Sequence, residues 1–369
     1  MKIDLGVEAL SSQLTGIGRY TLELFRGLKL CADVKHLRGY IGEIHIEDPE
    51  ALLESSFRMP SRKALRAQKI KRRMERYFGG SRLFHGPNFM LPDRVEQGII
   101  TVHDLSVFKY PEAHPAERIE HFESAFQRSV ERASHIITDT EYGRKEFLEF
   151  TGMREDRVTA IHLGVSSAYC PERAGDGSID YGSYGIERGK YILVVATIEP
   201  RKRIETALLA YKALPEAYKA RFPLVIAGAS GWKNDLLHDM MQSEEAKGRI
   251  RFLGFVTEDH LPALFAGATL FLFPSVYEGF GLPPIEAMAS GVPTIASNRS
   301  CLPEVTAGAA MLIDPDDIEG WAQGIMVGVD DETWRVDAIT RGFQVVSNYR
   351  WEHTVRKTVE TYYNAWNLA

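Results

Sequence analysis

The sequence has few cysteines and no long apolar run. Its 369 residues include three scattered cysteines, Cys31, Cys170 and Cys301. An odd number of isolated thiols suits a reducing compartment, and their separation excludes a cysteine metal site. No stretch approaches the roughly 20 consecutive apolar residues that cross a membrane, and the first residues lack the pattern of a signal peptide. We therefore expect a cytoplasmic protein.

The chain also lacks an excess of basic residues. Its net charge of −6 gives no indication of nucleic-acid binding. A content of 44% hydrophobic and 25% charged residues is ordinary for a globular protein, and the length predicts two domains. What is present is an alternation of short apolar runs with longer amphipathic stretches, which is typical of βαβ units.

This alternation occurs twice, before and after a segment rich in glycine and polar residues. That segment, residues 171–189, predicts a linker. The expected fold is α/β, with Rossmann-like domains at 1–170 and 190–350 whose parallel strands bind ligands at their carboxyl ends. Residues 351–369 predict a helix that packs back on the N-terminal domain. The strand candidates are residues 3–7, 98–102, 135–138, 158–162, 191–196, 224–227, 250–253, 269–273 and 293–296.

The strongest motif follows the strand candidate at 269–273. From residue 275 it reads Ser-Val-Tyr-Glu-Gly-Phe-Gly-Leu-Pro-Pro-Ile-Glu. The two prolines predict the first turn of a helix, whose free N–H groups and positive dipole end attract an anion. Glu278 and Glu286 can then both accept hydrogen bonds from the hydroxyl groups of one ligand. The alternative, a tight turn with a favourable acid in the first helical turn, explains each glutamate singly but not the whole set.

A basic turn follows the strand candidate at 191–196. Arg201 and Lys202 are adjacent there, in a stretch that reads Glu-Pro-Arg-Lys-Arg from residue 199. Two cations at the carboxyl end of a strand can neutralise a diphosphate and stabilise a departing nucleotide without a metal. The alternative is a solvated basic turn.

Together these segments resemble the signature of the retaining glycosyltransferases of the glycogen synthase-like superfamily, glycosyltransferase family 4. The resemblance implies the GT-B fold, in which two Rossmann-like domains face each other across a cleft. It also implies that Glu278 contacts the transferred sugar and that Glu286 holds the ribose hydroxyls. The backbone between them would meet sugar and diphosphate, and the basic pair would bind the donor phosphates. The implied donor-binding residues are Gly16, Gly18, Arg201, Lys202, Glu278, Gly279, Phe280, Gly281, Leu282 and Glu286.

One segment departs from the family pattern. Many members have Gly-Arg where this chain has Ala196-Thr197, so the arginine must act from position 201. This variant resembles the mannosyl- and rhamnosyltransferases of bacterial surface polysaccharides, such as the O-antigen of lipopolysaccharide.

Two features of the first half gain a role from the same resemblance. His103 ends the strand candidate at 98–102, and the family's His-Asp segment implies that it contacts the donor sugar or the reacting centre. A histidine there can equally be structural.

Gly16 and Gly18 open a helix, and the family places this loop beside the diphosphate and acceptor, with Arg19 as a further candidate. A Gly-x-Gly pattern alone is weak and lacks the full dinucleotide fingerprint. The predicted catalytic residues are His103, Arg201, Lys202 and Glu278.

The acidic run Asp314-Pro315-Asp316-Asp317 could bind a metal, but it reads better as a helix N-cap with acids in the first turn. Transferases of this architecture typically need no metal. We therefore expect no cofactor, with the nucleotide sugar as a substrate.

A basic amphipathic segment lies at residues 61–78. It holds eight lysines and arginines, and its apolar residues can share one helical face. Such a helix suggests contact with anionic lipid on the inner face of the cytoplasmic membrane, and the alternative is a solvated face that packs on the domain. The candidate contacts with membrane or acceptor are Arg66, Lys69, Lys71, Arg72 and Arg73.

The resemblance therefore implies a metal-independent, retaining hexosyltransferase of surface-polysaccharide synthesis, with mannose from GDP-mannose as the expected donor. The acceptor would be a glycan or a polyprenyl-diphosphate-linked oligosaccharide. A GDP- or dTDP-deoxyhexose such as rhamnose is the alternative donor. Two other classes remain open at this point: a non-hydrolysing nucleotide-sugar epimerase, and a non-catalytic protein that binds lipid or nucleic acid through the basic segment.

Overall fold

A computed structural model of the protein describes residues 1–59, 82–113, 116–229, 245 and 247–367. The strands are β1 (Lys2–Gly6), β2 (His36–Ile41), β3 (Ile44–Ile46), β4 (Leu83–Gly86), β5 (Gly98–Val102), β6 (Ala133–Thr138), β7 (Val158–Ala160), β8 (Ile192–Val195), β9 (Leu224–Ala227), β10 (Ile250–Gly254), β11 (Leu270–Phe273), β12 (Thr294–Ser297) and β13 (Met311–Ile313). The helices are α1 (Gly16–Leu30), α2 (Ser106–Lys109), α3 (Ala116–Arg132), α4 (Glu141–Thr151), α5 (Ile204–Ala213), α6 (Glu216–Arg221), α7 (Leu261–Ala266), α8 (Leu282–Ala289), α9 (Leu302–Thr306), α10 (Ile318–Asp330), α11 (Glu332–Val346) and α12 (Trp351–Asn367).

The chain forms two compact units. Unit 1 comprises Met1–Leu105, Pro115–Gly164 and Trp351–Ala369, and unit 2 comprises Ser106–His114 and Val165–Arg350. Within the described ranges no helix is long and apolar enough to cross a membrane.

Each unit is built on one doubly wound sheet, as predicted. The seven described strands of unit 1 are ordered β3-β2-β1-β4-β5-β6-β7, and the six of unit 2 are ordered β10-β9-β8-β11-β12-β13. All neighbouring pairs are parallel except β2 and β3, an antiparallel hairpin at the edge of the first sheet. The α/β fold class is confirmed, and β3 is the exception to a wholly parallel sheet.

The predicted linker at 171–189 is instead part of unit 2. Ile179 and Ile186 are buried in its core beside Tyr191. The hydroxyl of Tyr181 donates a hydrogen bond of 2.8 Å to the carbonyl of Ala263. The glycines of this segment and its one proline, Pro171, lie in short turns, and the apolar residues between them anchor it. The chain passes from unit 1 to unit 2 between Gly164 and Val165, before the predicted linker begins.

Helix α12 packs on α1 within unit 1. The two helices approach so closely at Gly27 that a Cβ atom there would lie 2.3 Å from Cγ2 of Val355. Thr354 adds a hydrogen bond of 2.8 Å from its hydroxyl to the carbonyl of His162. The C-terminal helix is therefore an integral layer of the first unit although it follows the second unit in sequence.

A buried polar network ties α12 to the sheet. The Nδ1 atom of His85 lies 2.7 Å from the hydroxyl of Tyr362, and its Nε2 lies 2.8 Å from Oγ1 of Thr101. That Oγ1 also lies 2.9 Å from the hydroxyl of Tyr20 on α1. Burial, together with the nearby charge of His103, lowers the pKa of His85 to about 3. The ring is therefore neutral at neutral pH, with one nitrogen donating and the other accepting.

We expect Tyr362→Phe to lower the free energy of unfolding by about 1–3 kcal/mol, because it leaves one buried ring nitrogen of His85 without a partner. The matched control is Tyr363→Phe. Its hydroxyl bonds Asp33 at 3.1 Å, but the residue is 43% exposed, so the change should stay within about 0.5 kcal/mol. Urea unfolding of both variants measures the difference, and equal losses would contradict the role given to the His85 network.

Candidate active site

The loop that carries Glu278 joins β11 to α8 in unit 2. All four residues of β11 are buried, so the strand fixes where the loop begins. Helix α8 begins at Leu282 and has Pro283 and Pro284 in its first turn, as predicted from the sequence. Its N-cap is Gly281, with φ of 92°. The prediction for Glu286 needs one correction, because it is the fifth residue of α8 and lies in the second turn.

Only glycine suits position 281. Its backbone is in the left-handed region, which a Cβ atom disfavours. A Cβ atom there would also lie 2.9 Å from Cδ2 of Leu302. Phe280 is 3% exposed and its ring meets Tyr349 edge-on at 5.5 Å. Its side chain therefore belongs to the core.

The basic turn adjoins this loop because β8 and β11 are neighbours in the sheet. The Nζ atom of Lys202 lies 2.6 Å and 2.9 Å from the two carboxylate oxygens of Glu278. Arg201 donates from Nη1 to the carbonyl of Tyr277 at 3.0 Å, and the same atom lies 3.5 Å from Oε2 of Glu278. Three of the predicted catalytic residues thus form one cluster.

A second carboxylate completes the cluster. Oε1 of Glu199 lies 2.6 Å from Nε of Arg201. Glu199 and Glu278 are each 8% exposed, and charges so deeply buried are tolerated only when paired. With two cations and two carboxylates, the cluster is neutral overall. The sequence prediction missed Glu199, although its place shortly after the strand candidate at 191–196, directly before Pro200-Arg201-Lys202, was a usable signal.

His103 lies at the carboxyl end of β5 in unit 1, and both of its ring nitrogens have partners there. Nδ1 is 2.8 Å from Oδ2 of Asp139, and Nε2 is 2.8 Å from the carbonyl oxygen of Pro87. The ring edges also meet Tyr20 and Phe89. Burial lowers the pKa of His103, but the Asp139 carboxylate and the two hydrogen bonds outweigh it and raise the pKa above its usual value. These contacts favour an imidazolium that donates from both nitrogens within unit 1.

The glycines near the N-terminus form the start of α1. Gly16 is its first residue, and Thr15 caps it by accepting a hydrogen bond of 3.3 Å from the N–H of Gly18. A Cβ atom at Gly18 would lie 2.8 Å from the carbonyl oxygen of Ala9, so glycine permits this close approach. Arg19 lies 3.8 Å from Glu23, one turn along the helix.

The acidic run at 314–317 has structural partners. Asp317 caps α10 through a hydrogen bond of 2.8 Å from the N–H of Gly320. Asp316 pairs with Arg203, and Asp314 pairs with Arg299 at 2.7 Å. In the part of the chain that the structure describes, no group of three or more histidine, cysteine or acidic side chains is arranged to hold a metal.

The basic segment at 61–78, with Arg66, Lys69, Lys71, Arg72 and Arg73, lies outside the described residues.

Two doubly wound units, one of which carries a glycine-rich loop between Glu278 and Glu286 with a basic turn beside it, are features of the GT-B class of glycosyltransferases. Residues 182–345 match the family of glycosyl transferases group 1. O-antigen chain mannosyltransferase B of Escherichia coli is 34% identical over 378 residues, covering 98% of this chain and 99% of that protein. The chain belongs to the group 1 glycosyltransferase family.

Solved structures share the fold at low sequence identity. Sucrose-phosphate synthase from Thermosynechococcus elongatus has a TM-score of 0.75 and 19% identity over 100% of both chains. HepE of Anabaena, in complex with UDP-glucose, has a TM-score of 0.74 and 17% identity over 99% of this chain and 100% of that one. Family membership makes the chain a glycosyltransferase and decides against the epimerase and the non-catalytic binding protein.

Proposed function

We propose that this protein transfers mannose from GDP-mannose, with retention of configuration, to a glycan or polyprenyl-diphosphate-linked oligosaccharide in O-antigen synthesis. The observation that carries the proposal is the identity of 34%, over nearly the whole of both chains, with a protein named as an O-antigen chain mannosyltransferase. The arrangement of charges in unit 2 supports the chemistry.

Arg201 and Lys202 supply the positive charge that the reaction requires. As the bond between the sugar and the diphosphate breaks, negative charge grows on the leaving nucleotide, and fixed cations stabilise that charge most in the transition state. Because the pair is held by Glu199 and Glu278, its position is set before the donor arrives. Two such cations can fulfil the role that a divalent metal has in other transferases.

The two glutamates of the loop have separate tasks in this proposal. Glu278 accepts hydrogen bonds from hydroxyls of the transferred sugar, while its charge stays compensated by Lys202. Glu286, on α8, binds the ribose hydroxyls of the nucleoside. The diphosphate then lies at the start of α8, where the positive end of the helix dipole favours an anion.

The donor is tested by incubating the protein with an acceptor oligosaccharide and a panel of nucleotide sugars, and following release of the nucleoside diphosphate. We expect GDP-mannose to be used fastest, and activity to persist in excess EDTA because the cations are side chains. Lys202→Ala should lower kcat more than it weakens donor binding. Its matched control is Lys190→Ala, which removes a lysine that is 58% exposed and paired with Glu187 on the surface.

Faster turnover of a GDP- or dTDP-deoxyhexose than of GDP-mannose would show that the transferred sugar is the deoxyhexose and not mannose. Loss of activity in EDTA, with recovery on adding magnesium or manganese, would contradict the metal-free mechanism.

Glu286→Ala should weaken GDP binding in calorimetric titration. Each charge-assisted hydrogen bond to a ribose hydroxyl contributes about 1.5–3 kcal/mol. The matched control is Glu332→Ala, which removes a carboxylate of unit 2 that is 82% exposed, and its GDP affinity should equal that of the wild type. Unchanged affinity in a folded Glu286→Ala protein would refute the ribose assignment.

We also propose that the basic segment at 61–78 docks the protein on anionic membrane. Each basic residue near such a surface contributes about 1 kcal/mol, and salt screens the attraction within about 10 Å at 0.1 M. The protein should therefore sediment with anionic but not neutral vesicles, and less so as salt rises. Replacing Lys71, Arg72 and Arg73 with glutamine should weaken binding by roughly 3 kcal/mol on the same figure. If this variant bound anionic vesicles as tightly as the wild type, the membrane proposal would be wrong and the alternative of a solvated face would stand.

A further inference from the structure

The segment between β12 and α9 makes hydrogen bonds to the loop that carries Glu278. Oγ of Ser300 accepts a hydrogen bond of 3.1 Å from the backbone N–H of Glu278. The next residue, Cys301, is fully buried, and its Sγ lies 3.1 Å from the carbonyl oxygen of Glu278 and 3.3 Å from that of Phe280. Both polar groups of the Glu278 backbone are thus held by side chains of two adjacent residues.

The first residue of α9, Leu302, also contacts the loop. Leu302 lies so near Gly281 that a Cβ atom on the glycine would meet its Cδ2 at 2.9 Å. Ser300, Cys301 and Leu302, which we call the clamp, therefore touch the loop at Glu278, Phe280 and Gly281.

Ser300 adopts a backbone conformation that serine disfavours. Its φ is 52°, in the left-handed region. A non-glycine residue is kept in this region where the surrounding structure determines it, and such residues concentrate at functional sites. Here the left-handed turn coincides with the hydroxyl that meets the N–H of Glu278.

The start of the loop is held by a different element. The carbonyl oxygen of Arg201 accepts a hydrogen bond of 2.9 Å from the N–H of Val276 and one of 3.1 Å from the hydroxyl of Ser275. The basic turn thus anchors the beginning of the loop and the clamp anchors Glu278 and the residues after it. With both parts fixed, the carboxylate of Glu278 is directed onto Lys202.

We propose that Ser300 and Cys301 are positioning residues that set the place of the Glu278 carboxylate for sugar transfer. The catalytic consequence rests on the proposed function, whereas the effect on the loop itself does not. A displacement of about 1 Å in a reacting constellation can cost up to a hundredfold in rate, so a loosened clamp acts on turnover. Arg201, Lys202 and Glu286 lie on other elements and keep their contribution to nucleotide binding.

The test compares Ser300→Ala and Ser300→Gly with Cys301→Ala and Cys301→Ser. Ser300→Gly also lacks the hydroxyl but suits the left-handed backbone, so it separates positioning from stability. We expect kcat with GDP-mannose to fall about tenfold in both Ser300 variants and in Cys301→Ala. Cys301→Ser, which keeps a donor, should stay within about threefold of the wild type. Affinity for GDP should change less than kcat in all four, since Arg201, Lys202 and Glu286, to which we assign most of the nucleotide binding, are not held by Ser300 or Cys301.

The matched control is Cys31→Ala, which removes a thiol from unit 1 and should leave kcat unchanged. A second readout, independent of turnover, is backbone hydrogen exchange of a peptide spanning residues 274–282. The lost acceptor in Ser300→Gly should speed exchange of this peptide at least tenfold.

Two results would overturn the proposal. One is a Ser300→Gly protein with wild-type kcat, and the other is unchanged exchange of the loop in that variant. If the wild-type protein turned over none of the nucleotide sugars, the proposed function would fail, and the exchange measurement would still decide whether the clamp orders the loop.

Discussion

The buried pairing of Lys202 with Glu278 is the contact on which the arrangement of the site depends. A carboxylate that is 8% exposed would be very costly without a cation, and a cation on the short turn after β8 would gain little in open solvent. Each group therefore requires the other, and together they draw the basic turn against the glycine-rich loop. Arg201 and Glu199 extend the pairing to four charges that cancel.

This neutrality matters in our proposal, in which the site binds a dianionic diphosphate. Cations without partners would repel each other and spread apart, whereas cations held between carboxylates remain at fixed places. In our proposal the donor adds its negative charge to a cluster whose geometry is already set, so little reorganisation accompanies the chemical step.

Unit 1 uses buried polar contacts differently. His85 and Tyr362 join the C-terminal helix to the sheet, and His103 and Asp139 join the ends of β5 and β6. His85 lies on β4, and His103 directly follows the neighbouring β5. Burial lowers the pKa of both rings, but the Asp139 carboxylate beside His103 raises its pKa above the usual value. The hydrogen bond from His103 to the carbonyl of Pro87 also holds the turn after β4. His103 therefore fixes the backbone that follows β4, β5 and β6 through these contacts.

Local sequence was sufficient for the repeated α/β pattern and for the two segments of the site. Buried parallel strands appear as continuous apolar runs, and glycines and prolines mark turns and helix starts through backbone stereochemistry that needs no distant partner. Short or polar strands such as β4, β2 and β13 escaped prediction, since their identity depends on the neighbours they pair with. Only the tertiary structure decided which charges pair, because Lys202 and Glu278 are 76 residues apart and meet through the adjacency of β8 and β11. It also decided that residues 171–189 pack in unit 2 and that Ser300 and Cys301 hold the loop, since these contacts join segments far apart in the chain.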